Sequence, residues 1–93
     1  MIKVNEYFEG NVKSMALENE DGRATVGVMA AGDFEFGTST VEYMTVVSGK
    51  MTVLLPGETE WKTYVPFQTF VVPANQKFKL KMDQPAAYRC LYK

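Results

Sequence analysis

The plainest pattern in the chain is the alternation Lys77-Phe78-Lys79-Leu80-Lys81-Met82, with apolar side chains on one face and lysines on the other. A period of two is the mark of a half-buried strand. It extends the strand expected at Gln76–Met82 and recurs in Ala86–Tyr92, where Tyr88, Cys90 and Tyr92 share one face. Further strands are expected at Asn11–Leu17, Ala24–Ala31, Phe34–Phe36, Val41–Ser48, Lys50–Leu55, Trp61–Val65 and Gln68–Val72. Between them lie turn signals: Asn19-Glu20-Asp21-Gly22, Gly32-Asp33, Ser48-Gly49, Pro56-Gly57-Glu58-Thr59, Pro73-Ala74-Asn75 and Asp83-Gln84-Pro85. Asp-Gly suits the positive φ of a tight hairpin. Sustained helical periodicity is absent. Short strands at this spacing predict an all-β barrel or sandwich. Gly27, inside an expected strand, marks a place where another backbone or a ligand comes close. Residues 1–9 show no clear period and end in Tyr7-Phe8, a pair expected to pack under the barrel end or on a second subunit.

Composition narrows the chemistry. A chain of 93 residues is one domain, 1–93, and buries only about 60–65% of its unfolded surface. With 13% aromatics, that small core is expected to be tightly filled or to carry stacking walls. The net charge of −1 supplies no field for nucleic acid or an anionic membrane, so neither is expected as a partner. The single cysteine, Cys90, excludes a disulfide within the chain. The opening MIKVNEYFEG has no signal-type apolar run, and no segment approaches the ~20 apolar residues of a membrane span. A soluble, cytoplasmic protein is the expectation. The absence of histidine removes Ser/His and Cys/His pairs, histidine acid–base work and most transition-metal sites. Chemistry must come from carboxylates, Arg, Lys, Tyr, hydroxyls or backbone groups.

The stretch Gly32–Pro56 resembles the first motif of the cupin superfamily: Glu42, six residues, then Gly49 stand as that motif requires. The motif's histidines are absent, and Phe36 and Thr38 occupy the nearest positions. The second motif is echoed from Phe67 through Pro73 and Asn75 to Phe78, which stands where a third histidine is usual. Asn75 can take the left-handed backbone that glycine supplies there. Alternation independently puts Phe78 with Leu80 and Met82, and Glu42 with Met44 and Val46. The expected architecture is therefore a single cupin domain, an RmlC-like jelly-roll β-barrel, with a carboxylate and phenyl rings where a metal cupin keeps its ligands. No metal and no cofactor are expected.

Over its whole length the chain is similar to the pyrimidine/purine nucleoside phosphorylases. The similarity rests on Asn5-Glu6-Tyr7-Phe8, Gly22-Arg23-Ala24, Val26-Gly27-Val28-Met29, Glu42 with Met44-Thr45-Val46, Ser48-Gly49 and Val53-Leu54-Leu55-Pro56. It implies a homodimeric cupin acting on nucleosides and inorganic phosphate, releasing free base and ribose 1-phosphate, with tolerance for purines and pyrimidines. Such a reaction needs a phosphate site, a grip on ribose and a wall for the base. An Arg fork and hydroxyls suit phosphate. A carboxylate suits ribose hydroxyls or a positive ring in the transition state. Aromatic rings stack on any base. Glu42 is the catalytic candidate; the alternative is a carboxylate tied into the structure. Arg23, Thr38 and Ser39 are candidates for phosphate, and Phe36 and Phe78 for the base. Set against these roles are a hairpin-surface arginine, turn hydroxyls and plain core rings. The competing functions are a non-catalytic cupin that binds a sugar or nucleoside, and a metal cupin with an oxygen-only site.

Overall fold

The protein, described at all 93 residues by a computed structural model, folds into ten strands and one short 3-10 turn. The strands are β1 (Val4–Tyr7), β2 (Val12–Asn19), β3 (Gly22–Met29), β4 (Gly32–Gly37), β5 (Glu42–Ser48), β6 (Met51–Leu54), β7 (Lys62–Tyr64), β8 (Thr69–Val72), β9 (Lys77–Met82) and β10 (Ala86–Tyr92). They form a six-stranded sheet, ordered β1-β2-β3-β10-β5-β8, and a four-stranded sheet, ordered β4-β9-β6-β7. All pairings are antiparallel. The all-β expectation holds. The two sheets face each other without a hydrogen-bonded ladder joining them, so the jelly roll is a sandwich and not a closed barrel.

Alternation places the core between the sheets. From the large sheet come Val12, Met29, Met44, Val46, Phe70, Val72, Ala86, Tyr88 and Cys90; from the small one come Phe34, Met51, Val53, Phe78, Leu80 and Met82. Each fully buried aliphatic or aromatic side chain here stabilises the fold by about 1.5–3 kcal/mol relative to exposure. The lysines of β9 stay on the solvent side, where the Lys81 ammonium lies 4.2 Å from the Trp61 ring centroid.

One feature differs from the reading of the chain and a second adds to it. Residues 4–7 pair with β2, although no period announces a strand there. Its partner supplies what its own pattern lacks. Tyr7 then packs edge-on to Phe36 at 5.8 Å, and Phe8 meets Phe34 and Phe36 at 5.1 and 5.4 Å. The pair thus closes one end of the sandwich. The second feature is Ser48-Gly49, which carries the chain from one sheet to the other. Gly49 has φ +78°, and a Cβ there would lie 2.9 Å from the carbonyl oxygen of Pro85. Both conditions require glycine. Asn75 adopts φ +60°, as its place in the motif predicts.

The small sheet has fewer strands than the large one and leaves part of the latter's inner face, towards β1, β2 and β3, uncovered. The outer face of the large sheet is also unpartnered, and it carries exposed Val4, Met15, Leu17, Val26, Val28 and Val71. No helix is long and apolar enough to cross a membrane.

Candidate active site

Three rows of side chains cross the inner face of the large sheet, and β10 is the middle strand of each. Ladder register sets Tyr92 against Glu42 of β5, Cys90 between Thr25 of β3 and Met44 of β5, and Tyr88 between Gly27 and Val46. Beyond Thr25 the same face of β3 ends in Arg23, whose guanidinium carbon lies 5.9 Å from the Tyr92 ring centroid. Residues far apart in sequence, Arg23, Glu42 and Tyr92, are therefore brought side by side by strand order.

Between this face and the small sheet is a cavity of about 210 Å³. One wall is aromatic: Phe36 and Phe78 run nearly parallel, 27° apart with centroids at 6.0 Å, and Tyr7 stands across the edge of Phe36. The other wall is polar, from Ser14, Thr25, Tyr88, Cys90 and Tyr92. Glu42 is the only carboxylate in the lining.

Electrostatics follow from burial. Half-buried Glu42 is raised above the ordinary carboxylate value of 4.5, chiefly by loss of solvent; the Cys90 thiol, donating to Oε1 at 3.4 Å, opposes that rise. Burial pushes the Cys90 thiol well up, and the Glu42 charge adds to it, so the group stays a neutral donor. Tyr88 is pushed up to about 12, again mainly by burial. Burial also raises Tyr92, against the opposing effect of its hydrogen bond with Thr25, where the two hydroxyl oxygens are 3.0 Å apart. The cavity thus holds one titratable carboxylate among neutral donors. No buried side-chain polar atom lacks a partner.

A second, more open space of about 570 Å³ lies on the uncovered inner face and shares Thr25 and Tyr92 with the cavity. Lys3, Glu18 and Arg23 line it. Arg23 pairs across the ladder with Glu18, yet no carboxylate comes within 4.0 Å of its guanidinium; the molecule's one ion pair is Lys13 with Glu6, at 3.5 Å.

The residues singled out from sequence divide accordingly. Glu42, Phe36 and Phe78 meet in the cavity. Arg23, exposed directly after the β2–β3 turn, lines the neighbouring space and sits beside Tyr92. Thr38 is elsewhere: its hydroxyl donates to Pro73 O at 2.6 Å and accepts from Gln76 N–H at 3.1 Å, bracing the β4–β5 loop against the β8–β9 turn. Ser39 is exposed in that loop and lines neither space. The sequence reading left out Thr25, Tyr88 and Tyr92. Alternation puts both tyrosines on the face of Cys90, but a shared face alone does not set a site residue apart from core.

The positions that the cupin motifs give to metal ligands hold Phe36, Thr38 and Phe78, with Glu42 the only strong donor. No three of His, Cys, Asp or Glu converge anywhere. This donor set does not fit a resident divalent metal.

Comparison with known proteins gives concordant results. A sequence profile described as pyrimidine/purine nucleoside phosphorylase matches residues 2–92. A Pseudomonas aeruginosa protein of that name is 57% identical over 93 residues, with all of both chains covered. The crystal structure of a Vibrio parahaemolyticus protein of unknown function superposes with a TM-score of 0.96 at 41% identity, covering 100% of this chain and 99% of that one. An RmlC-like cupin from Shewanella frigidimarina superposes with a TM-score of 0.74 at 17% identity, over 96% of this chain and 80% of its own, a likeness of fold alone. The architecture is that of a cupin.

Proposed function

The chain belongs to the pyrimidine/purine nucleoside phosphorylase family, and from that premise we propose that it is a metal-independent pentosyltransferase of broad specificity. It converts a purine or pyrimidine ribonucleoside and phosphate into free base and ribose 1-phosphate. The observation that carries the assignment of roles is the single carboxylate of Glu42 inside an aromatic-walled cavity, with the unpaired Arg23 guanidinium beside Tyr92, the ladder partner of Glu42.

In this reading the ribose lies against Glu42. Its carboxylate accepts from sugar hydroxyls and stabilises the positive charge that builds on the ring as the base departs. Phe36 and Phe78 face the base; stacking is indifferent to base identity, which suits purines and pyrimidines alike. Arg23 takes the phosphate, in preference to Thr38, whose one hydroxyl proton is already donated to Pro73 O, or Ser39, which faces solvent. Much of the acceleration comes from holding both substrates in line. We further propose that the protein acts as a homodimer joined through the apolar outer face of the large sheet. An isologous contact buries that patch on both copies at once.

The test is incubation with uridine and with adenosine, with and without phosphate, in the presence of EDTA. Base release should require phosphate and survive the chelator. Release without phosphate means hydrolysis; no release from any nucleoside leaves a binding cupin.

A further inference from the structure

We propose that phosphate binds in the open basin between Lys3 and Arg23, and that the Tyr92 hydroxyl, at the boundary between basin and cavity, donates to it and holds it for attack. The inference rests on the phosphorolytic reading and deepens it.

The two adjoining spaces differ in charge. The smaller one holds a single titratable carboxylate, Glu42, and no cation. Among its lining side chains the basin has two cations, Lys3 and Arg23, against one anion, Glu18. A phosphate dianion is repelled from the first and attracted to the second. Lys3 is brought there because its carbonyl accepts from Ala16 N–H at 2.9 Å, prolonging the β1–β2 pairing by one step. Size points the same way. About 210 Å³ is below the ~300–1,000 Å³ of ordinary ligand pockets, so the cavity takes part of a nucleoside and leaves its reacting end towards the mouth.

Thr25 and Tyr92 are the only residues that line both spaces. Their hydroxyls share one hydrogen bond, so one proton is left free to point at an acceptor. Burial keeps the phenol protonated, which suits a donor to phosphate. In the step itself a phosphate oxygen lone pair forms the bond to C1′. The C1′–N bond breaks and its electron pair leaves with the base. The proton of hydrogen phosphate ends on that base nitrogen.

The experiment compares the wild-type protein with Tyr92→Phe, Lys3→Ala and Lys3→Arg, varying phosphate and nucleoside separately. Tyr92→Phe keeps the ring and removes the hydroxyl. It should raise KM for phosphate roughly tenfold or more, the loss of a hydrogen bond to a charged group, with KM for nucleoside little changed. Lys3→Ala should raise it about two- to fivefold, and Lys3→Arg should restore it. Inorganic phosphate alone should perturb the amide resonances of Lys3, Arg23 and Tyr92 in the wild-type protein. An unchanged phosphate KM in both Tyr92→Phe and Lys3→Ala, or phosphate shifts confined to Thr38 and its neighbours Asn75, Gln76 and Lys77, overturns the inference while leaving phosphorolysis intact. Absence of phosphorolysis in the wild-type protein removes the premise and the inference with it.

Discussion

Gly27→Ala is the sharpest test of how the cavity wall is built. Gly27 faces inward between Ser14 of β2 and Tyr88 of β10, its two ladder partners. A methyl group placed there would lie 2.6 Å from the carbonyl oxygen of Lys13, 2.8 Å from the Tyr88 hydroxyl and 2.9 Å from Ser14 Cβ. All three are far inside the ~3.5–4.0 Å of ordinary contact. The Lys13 oxygen belongs to the backbone of a paired strand, so it cannot swing aside as a flexible side chain does; Tyr88 must move too. Two terms oppose. Removing glycine restricts the unfolded chain and stabilises by about 0.4–1 kcal/mol. Overpacking a filled site costs about 1–3 kcal/mol. With three simultaneous clashes the second term wins, by about 1 kcal/mol or more. In a domain of this size that is a fall in Tm of about 4–8 °C per kcal/mol.

The assay is thermal unfolding followed by circular dichroism for Gly27→Ala, Tyr88→Phe and the double variant. Tyr88→Phe deletes one of the three clashing atoms, so the double variant should be more stable than the sum of the single changes predicts, with a coupling of about 0.5 kcal/mol or more. Displacing Tyr88 also reshapes the cavity, so KM for nucleoside should rise in Gly27→Ala. A Gly27→Ala protein that melts at or above the wild-type temperature, or a strictly additive cycle, refutes the reasoning.

Further outcomes follow from other parts of the molecule. Glu42→Gln should fold and lose most activity, and its stability should carry a definite pH signature. Burial raises the carboxyl in the folded state above its ordinary value of 4.5. The protonated form is therefore the favoured one in the fold. The stability this gives is present below that value and is lost as pH rises through the folded-state pKa. The variant should thus melt above the wild type at neutral pH, with the gap closing on acidification; a gap independent of pH, or full activity, counts against it. Thr38→Val removes the contacts to Pro73 O and Gln76 N–H and should cost about 1–2 kcal/mol in chemical denaturation without changing phosphate KM. A raised phosphate KM at unaltered stability would return Thr38 to the site. Val28→Lys, on the outer face of the large sheet, should convert a dimer to a monomer in light scattering, and a monomeric wild-type protein would sink the dimer proposal.

Local chemistry made much of this fold readable. β9 alternates because one of its faces meets the core and the other meets water. The β2–β3 hairpin turns at Glu20-Asp21, and Gly22, with φ +111°, returns the chain to the ladder opposite Asn19. Gly27 could be flagged because a glycine in a strand interior needs a reason, and crowding by Lys13, Ser14 and Tyr88 is that reason. β1 was missed because its pairing comes from β2, with only Asn5 of its four residues less than exposed, so no periodic burial marks it. The cupin architecture could be read from the chain, but not whether its two sheets close on each other. Alternation reports which side of a strand is wet; it does not report whether the sheet edges join.

The site shows the same limit more severely. Periodicity assigns Glu42, Tyr92 and Arg23 each to a face, but their adjacency depends on β10 inserting between β3 and β5. That order follows from non-local pairing, whose loop-closure cost no short window of sequence records. Glu42 could be recognised because an apolar face tolerates a carboxylate only beside a cavity or a partner, and it has both: open space and the Cys90 thiol. Tyr92 could not be recognised that way, because a tyrosine on an apolar face is ordinary core until the hydroxyl's surroundings are known. Those surroundings are Thr25, the cavity and the basin together. Removing the Tyr92 hydroxyl while keeping its ring therefore separates the two descriptions of that residue. A core tyrosine would lose stability and leave both Michaelis constants in proportion, whereas a boundary donor must shift the constant for phosphate and spare the one for nucleoside.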